Sequence, residues 1–130
     1  MKRKRTIWLL LLVAFACIAL SASAFAGEAK VHHVVLLNVK EDVSPEQVDQ
    51  MITVAKALLS QIPGVLEVSG GKKAREDRPV HIKDYDVGLY AKWESLEAGK
   101  VYAPHILHQS FIKLYKPLLT GLKVIDFYGN

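Results

Sequence analysis

The sequence predicts an α+β fold, in which a four-stranded antiparallel sheet carries helices on one face. From residue 31 onward, apolar residues follow strand, helix, strand, strand, helix and strand patterns in that order. Capping and turn residues separate these patterns. Two halves of this kind and size pair their strands in one antiparallel sheet and place their helices together on one side.

The first half begins with a strand predicted over residues Val31 to Val39, which is apolar at nearly every position. Such a strand is typically covered on both faces. A helix from Pro45 to about Gln61 follows, because apolar residues recur there at helical spacing. Ser44 is a good N-cap for this helix, and Gln47 lies where a capping box requires it. Pro63-Gly64 ends the helix.

The remaining elements follow from shorter signals. Residues 71–84 are charged and form a long loop. Gly70-Gly71 ends the short strand before that loop, Ser95 is the N-cap of a short helix, and Gly121 marks a turn before the last strand. The predicted elements are a strand over Val65–Ser69, a strand over Asp86–Trp93, a helix to about Tyr102, a helix from Pro104 to about Tyr115, and a strand over Leu122–Tyr128.

The predicted helices can cover only one face of the sheet, which indicates that the chain self-associates. Two helical segments on one side cannot cover both faces of the sheet, although the first strand is apolar on both. A second copy of the chain is the simplest cover for the open face. We therefore expect a homodimer in which the two sheets pack face to face.

The positive charge of the chain lies at its N-terminus. The net charge is +4, and four of the seventeen Lys and Arg residues lie in Lys2–Arg5, before the first of the thirteen acidic residues. The chain from residue 28 onward therefore has thirteen cations and thirteen anions. Nucleic-acid binding needs a concentrated basic surface, so we expect no nucleic-acid partner.

Residues 1–26 have the order of a secretory signal peptide: the basic run, an apolar run from Ile7 to Leu20, and small residues up to Ala26. We expect cleavage after Ala26, a domain over residues 27–130, and a periplasmic or secreted protein with no membrane partner once the signal is removed. Two alternatives are an uncleaved anchor over residues 7–26 and a lipoprotein cut before Cys17. The mature chain would contain no cysteine, which excludes thiol catalysis and Cys-ligated metals.

Several motifs together resemble the stress-responsive A/B barrel (Dabb) family over residues 31–128. They are His33-Val-Val-Leu-Leu-Asn-Val-Lys40, Ile62-Pro-Gly-Val65, Tyr85 with Trp93-Glu-Ser95, Tyr102-Ala-Pro-His105-Ile-Leu-His108-Gln-Ser-Phe111, Lys116-Pro-Leu-Leu119 and Val124-Ile-Asp-Phe127. The resemblance implies a ferredoxin-like βαββαβ protomer and a dimeric α/β barrel. It does not imply one activity, because members are similar to plant stress proteins, a plant polyketide cyclase and bacterial proteins of unassigned role.

His33 is the first candidate site residue. It shares a strand face with Val31, Val35 and Leu37, and an imidazole among aliphatic side chains needs a hydrogen-bond partner. Its position matches a histidine that recurs in the family. Two interpretations stay open, namely a core histidine with a structural hydrogen bond and the wall of a ligand pocket.

His105 and His108 are the second pair of candidates, because residues three apart share a helix face. His108 matches a histidine that the cyclase-like members use in catalysis, His105 matches the histidine before it, and Tyr102 matches a tyrosine that lines their pocket. A neutral imidazole there could act as a general base. A metal site is the alternative, but no third ligand can be named, so we predict no metal and no cofactor.

One residue departs from the cyclase pattern. The resemblance implies a second catalytic histidine in the third strand, two residues after the tyrosine. Val87 stands at this place after Tyr85, and it cannot transfer a proton. Polyketide cyclisation by that mechanism is therefore not expected.

Three functional hypotheses follow. The first is an exported homodimer that binds a small apolar ligand near His33, Tyr102, His105 and His108. The second is a cofactor-free enzyme of cyclase or oxygenase type, with His108 as general base. The third is a structural stress protein that acts by assembly. The missing histidine at Val87 favours the first over the second, so the sequence alone leaves open whether the protein is an enzyme.

Overall fold

The computed structural model describes residues 27–130, and the predicted signal peptide over residues 1–26 lies outside them. The sheet consists of β1 (Lys30–Val39), β2 (Val65–Lys72), β3 (Val87–Trp93) and β4 (Leu119–Gly129). The helices are α1 (Pro45–Leu59), α2 (Leu96–Tyr102) and α3 (Ile106–Tyr115), and a 3₁₀ turn at Lys116–Leu118 leads into β4.

The sheet has the strand order β2-β3-β1-β4, and every neighbouring pair is antiparallel. This is the ferredoxin-like arrangement, and it confirms the predicted fold class. The two strands in the centre, β1 and β3, pair over seven residue positions, from Val31 with Trp93 to Leu37 with Val87. The helices lie on one face of the sheet, where Met51 and Ala55 of α1 are among the most buried side chains.

Local capping explains where two of the helices begin. At α1, the Ser44 hydroxyl accepts from the Gln47 amide at 3.3 Å, and the Gln47 side chain accepts from the Ser44 amide at 2.9 Å. This is the predicted capping box. At α2, the Ser95 hydroxyl accepts from the Ala98 amide at 3.1 Å. Gly64, after α1, has φ +83°, and a Cβ there would lie 2.5 Å from the Ala98 Cβ, so both conformation and space require glycine.

Two strand boundaries were predicted wrongly. β2 continues to Lys72 because Gly70 and Gly71 pair with Leu89 and Gly88 of β3 and do not end the strand. β4 begins at Leu119 and not at Leu122, and Gly121 pairs with Asn38 inside it. The pairing shifts register between Asn38 and Val39, so Gly121 lies at a bulge where a turn was predicted.

The face of the sheet opposite the helices carries apolar side chains of β1 and β4 and is uncovered by the described residues. Side chains alternate along a strand, and the strand register therefore places His32, Val34 and Leu36 of β1 on this face. On β4, Ile125 and Phe127 are about half exposed. On β1, His32 lies on this face, stacks on Phe127 at a centroid distance of 4.9 Å, and shares a hydrogen bond with the Tyr90 hydroxyl at 2.9 Å.

Candidate functional site

A cavity of about 700 Å³ lies between the helix-side face of the sheet and the helices α2 and α3. Most of its wall is aliphatic or aromatic. His33, Tyr102 and His108, three of the four predicted binding residues, line it. Trp93, Asp126 and Lys116 line it as well. A cavity of this size and composition is typical of a site for a small ligand.

His33 projects from β1 toward the helices, and its neighbour on β4 fixes its orientation. Its Nδ1 lies 2.6 Å from Oδ1 of Asp126, the residue that faces it across the strand pair. A carboxylate only accepts hydrogen bonds, so Nδ1 donates and Nε2 is the ring nitrogen that can accept when the imidazole is neutral. The His33 side chain is 14% exposed and that of Asp126 is 49% exposed, so the pair lies at the boundary between protein and solvent.

Aromatic rings surround His33. Its imidazole stacks on the Trp93 indole at a centroid distance of 4.5 Å, and the Tyr102 ring stands edge-on to it at 5.8 Å. The indole fits because residue 99 is glycine, since a Cβ there would lie 2.5 Å from two indole carbons. Trp93 Nε1 is buried without a hydrogen-bond partner among the described residues. The result is a flat aromatic wall on one side of the cavity.

His108 is held by the turn that precedes its own helix. Its Nδ1 lies 2.9 Å from the Ala103 carbonyl oxygen, which can only accept, so Nδ1 carries the proton. Partial burial lowers the pKa of His108 below its usual value, and the proximity of His33 adds to this effect. A lowered pKa keeps the imidazole neutral at pH 7, which leaves Nε2 free to accept a proton.

Tyr102 lies between the two histidines. Its ring centroid is 4.5 Å from that of His108 and 5.8 Å from that of His33. Burial raises the pKa of the Tyr102 phenol to about 12. The phenol is therefore a hydrogen-bond donor at neutral pH and not a base.

His105 has a different place from the one expected. It is the N-cap of α3 and not a residue of the helix, so it does not share a helical face with His108. Its Nδ1 accepts a hydrogen bond from the Leu107 amide at 3.2 Å, and it does not line the cavity. Among residues 27–130, no cluster of three or more His, Cys, Asp or Glu side chains could hold a metal ion.

Two residues of the site, Asp126 and Trp93, were assigned no functional role from the sequence alone. A lone acidic residue on an apolar strand was the signal that could have indicated a partner for Asp126. Val87, where the cyclase pattern has its second histidine, is fully buried on β3 and does not line the cavity. The described residues thus bring together two histidines, one tyrosine and one carboxylate.

The fold and this site define a ferredoxin-like α+β protein with a histidine-containing apolar cavity under its helices. The family model of the stress-responsive A/B barrel domain (Dabb) matches residues 31–128. The chain therefore belongs to the Dabb family, as its motifs predicted. A comparison with curated proteins gave no match.

Solved structures support the fold. An Arabidopsis thaliana protein is 28% identical, with a TM-score of 0.68, and the match covers 77% of this chain and 95% of that one. A dimeric ferredoxin-like protein of unknown function from Thermobifida fusca is 22% identical, with a TM-score of 0.66 and coverage of 78% and 92%. A hydroxynitrile lyase from Passiflora edulis is 19% identical, with a TM-score of 0.68 and coverage of 78% and 94%.

Proposed function

We propose that this Dabb protein is exported, forms a homodimer and binds a small, largely apolar molecule in the cavity beneath α2 and α3. The observation that carries the proposal is the cavity itself. Its volume of about 700 Å³ lies within the range of ligand sites, and its mostly apolar wall has His33, Tyr102, His108 and Asp126 grouped at one end. Its wall at β4 is partly exposed, with Leu122 56% and Val124 47% exposed, and a bound apolar molecule would remove these side chains from water.

The polar groups of the site are oriented before any ligand arrives. The carboxylate of Asp126 holds His33, and the Ala103 carbonyl holds His108. Each imidazole therefore has one ring nitrogen engaged by the protein and one available. Side chains that are fixed in this way bind a ligand at a smaller entropic cost than freely rotating ones.

The open face of the sheet supports the homodimer. Val34 and Leu36 of β1 and Ile125 and Phe127 of β4 form an apolar surface, and sheets that pack face to face bury such surfaces. The Thermobifida fusca neighbour is described as dimeric. In analytical ultracentrifugation at micromolar concentration we expect the mass of two chains. Phe127→Asp, which places a charge in this surface, should give a single protomer.

Export rests on the order of residues 1–26, with a basic run, an apolar run and small residues. Mass spectrometry of the protein recovered from the periplasm or the medium should give Gly27 as the first residue. A protein that keeps residues 1–26 and remains in the membrane fraction would contradict cleavage. Among residues 27–130, no helix is long and apolar enough to cross a bilayer.

Filling the cavity tests the binding function. Val124 lines the cavity on β4 and is 47% exposed, so Val124→Trp can occupy the space without disturbing the core. We expect saturable binding of 1-decanol by calorimetry, and loss of that binding in Val124→Trp. Leu114→Trp is the matched control, because Leu114 is exposed on α3 and does not line the cavity. Absence of saturable binding to the wild-type protein, or equal binding by both variants, would contradict the proposal.

A second candidate is an enzyme with His108 as general base. The observation that favours it is the fixed proton on His108 Nδ1, together with a lowered pKa that keeps Nε2 available as a base. The cyclase and oxygenase classes both begin with removal of a proton by such a base. The structural likeness to the Passiflora edulis hydroxynitrile lyase adds cyanohydrin cleavage to the reactions worth testing.

Release of cyanide from mandelonitrile is a direct assay for that last reaction. If His108 is the base, His108→Ala should lose at least about a hundredfold in rate, the usual contribution of a positioned base. His81→Ala, in the charged loop, should leave the rate unchanged. Equal rates in the wild-type protein and His108→Ala would exclude the role of His108.

A further inference from the structure

The charged side chains around the cavity are not balanced. Lys100 pairs with Glu97 at 2.6 Å, and Asp126 pairs with His33 at 2.6 Å. Lys116 also lines the cavity, but within residues 27–130 it has no ion-pair partner. Lys116 is therefore a cavity-lining lysine that no carboxylate of residues 27–130 pairs with.

Lys116 lies at the opposite end of the cavity from the histidines. The cavity follows β1 and β4, and His33 faces Asp126 near one end of this strand pair. The 3₁₀ turn that contains Lys116 lies at the other end, because the Leu118 carbonyl accepts from the Lys40 amide at 2.9 Å. The step from His33 to Leu37 alone covers about 13 Å at the usual rise of a strand.

The wall between these ends is apolar. It consists of aliphatic and aromatic side chains from the strands and from α3, among them Val35, Leu37, Phe111, Leu119, Leu122 and Val124. These six side chains carry no hydrogen-bonding group, and the polar side chain that α3 adds to this stretch is the phenol of Tyr115, next to Lys116 in the chain. A ligand that fills the cavity must therefore be apolar over this length, whatever groups it carries at its two ends.

We infer that the ligand is an amphipathic anion, with its acidic group beside the ammonium of Lys116 and its apolar body lying along β1 and β4 toward His33. This inference rests on the proposed binding function and adds the chemical class and the direction of the ligand. Lys116 is exposed, so the acidic group keeps part of its hydration while the apolar body leaves water. The histidine end offers an anion no comparable attraction, because Lys100 there is paired with Glu97 and the Asp126 carboxylate beside His33 carries negative charge.

Two probes of equal chain length test the inference. Decanoate and 1-decanol differ only in the head group, and decanoate is ionised at pH 8. In calorimetric titrations of the purified protein, we expect decanoate to bind about twofold to fivefold more tightly than 1-decanol, the upper range for one exposed ion pair. Lys116→Gln should reduce the affinity for decanoate to that for 1-decanol, and should leave the affinity for 1-decanol unchanged.

Two other lysines are the controls. Lys113→Gln alters an exposed lysine on α3 that does not line the cavity, and it should change neither affinity. Lys100→Gln alters the paired lysine at the other end, and it should also preserve the preference for decanoate. A preference that survives in Lys116→Gln, or that is lost in Lys100→Gln, would overturn the inference.

The two proposals fail in different ways. Equal affinities of the wild-type protein for decanoate and 1-decanol would overturn the anion while leaving the apolar site in place. Absence of saturable binding for both probes would overturn both proposals. A preference for decanoate that disappears in Lys116→Gln, together with decanoate binding that is lost in Val124→Trp, would place the acidic group and the apolar body in the same cavity.

Discussion

The strands β3 and β4 present equivalent positions to the helices, yet only β3 is covered by them. Val87 and Leu89 on β3 are 0% and 7% exposed, whereas Leu122 and Val124 on β4 are 56% and 47% exposed. Both pairs lie on the helix side of the sheet, because Leu37 faces Val87 on one side and Leu122 on the other. The helices thus cover the central strands β1 and β3 and leave β4 open, and the cavity is the space that remains beside β4.

The largest difference in unfolding free energy is expected between alanine substitutions of a leucine on β3 and a leucine on β4. Leu89→Ala removes a buried side chain and should lower the free energy of unfolding by about 2–5 kcal/mol. Leu122→Ala, at the uncovered strand, should lower it by less than about 1 kcal/mol. Urea unfolding of both variants measures the difference. Similar losses would show that β4 is as well packed as β3.

The ionisation of Tyr102 should have the next largest effect on stability, because this phenol lies among the covered side chains and is only 4% exposed. Its pKa is raised to about 12 in the folded protein, so the unfolded chain loses this proton at lower pH than the folded one. Stability is therefore complete below pH 10 and falls as the pH rises from 10 to 12, by about 2–3 kcal/mol for a shift of this size. Tyr102→Phe should remove that part of the decline in unfolding free energy. Parallel declines in the two proteins would contradict burial of the phenol.

Gly99 tests the packing between the covered region and the cavity. Gly99→Val places a side chain where the Trp93 indole lies, and overpacking of this kind costs about 1–3 kcal/mol of stability. Glu97→Val puts the same side chain on an exposed position of α2 and should cost less than about 1 kcal/mol. Thermal unfolding of both variants provides the comparison. A neutral Gly99→Val would mean that the indole moves freely into the cavity.

The smallest effect on stability is expected at His108, which is half-buried and lies between the covered core and the open cavity. Its pKa is lowered in the folded state, so the unfolded chain binds a proton there first as the pH falls. The contribution to stability is present above the ordinary pKa of about 6.5 and is lost as the pH falls below it. His108→Gln should reduce the decline in stability between pH 7 and pH 5. An unchanged pH dependence would argue against burial of this imidazole.

Local signals predicted most of the fold. The capping box at Ser44 and the cap at Ser95 involve residues three apart, so the sequence displays them directly. Gly121 misled the prediction, because a glycine at a bulge and a glycine at a turn look the same without the partner strand. His105 misled it for a related reason, because a histidine can cap a helix as well as belong to it.

The site was less predictable than the fold. The family resemblance pointed to His33, Tyr102 and His108, and all three line the cavity. The partner of His33 could not be found from spacing, since Asp126 lies 93 residues away and meets it only through the pairing of β1 with β4. The cavity exists because the helices do not extend over β4. Tertiary packing sets how far the helices extend, so no local sequence pattern could predict the cavity.

A crystal structure of the protein grown with 1-decanol tests the central claim most directly. We predict density for the alcohol between β4 and α3, in contact with Val124 and Phe111 and extending toward His33 and His108. Side chains that fill this space and leave no room for the alcohol, or an alcohol bound only at another surface, would contradict the account.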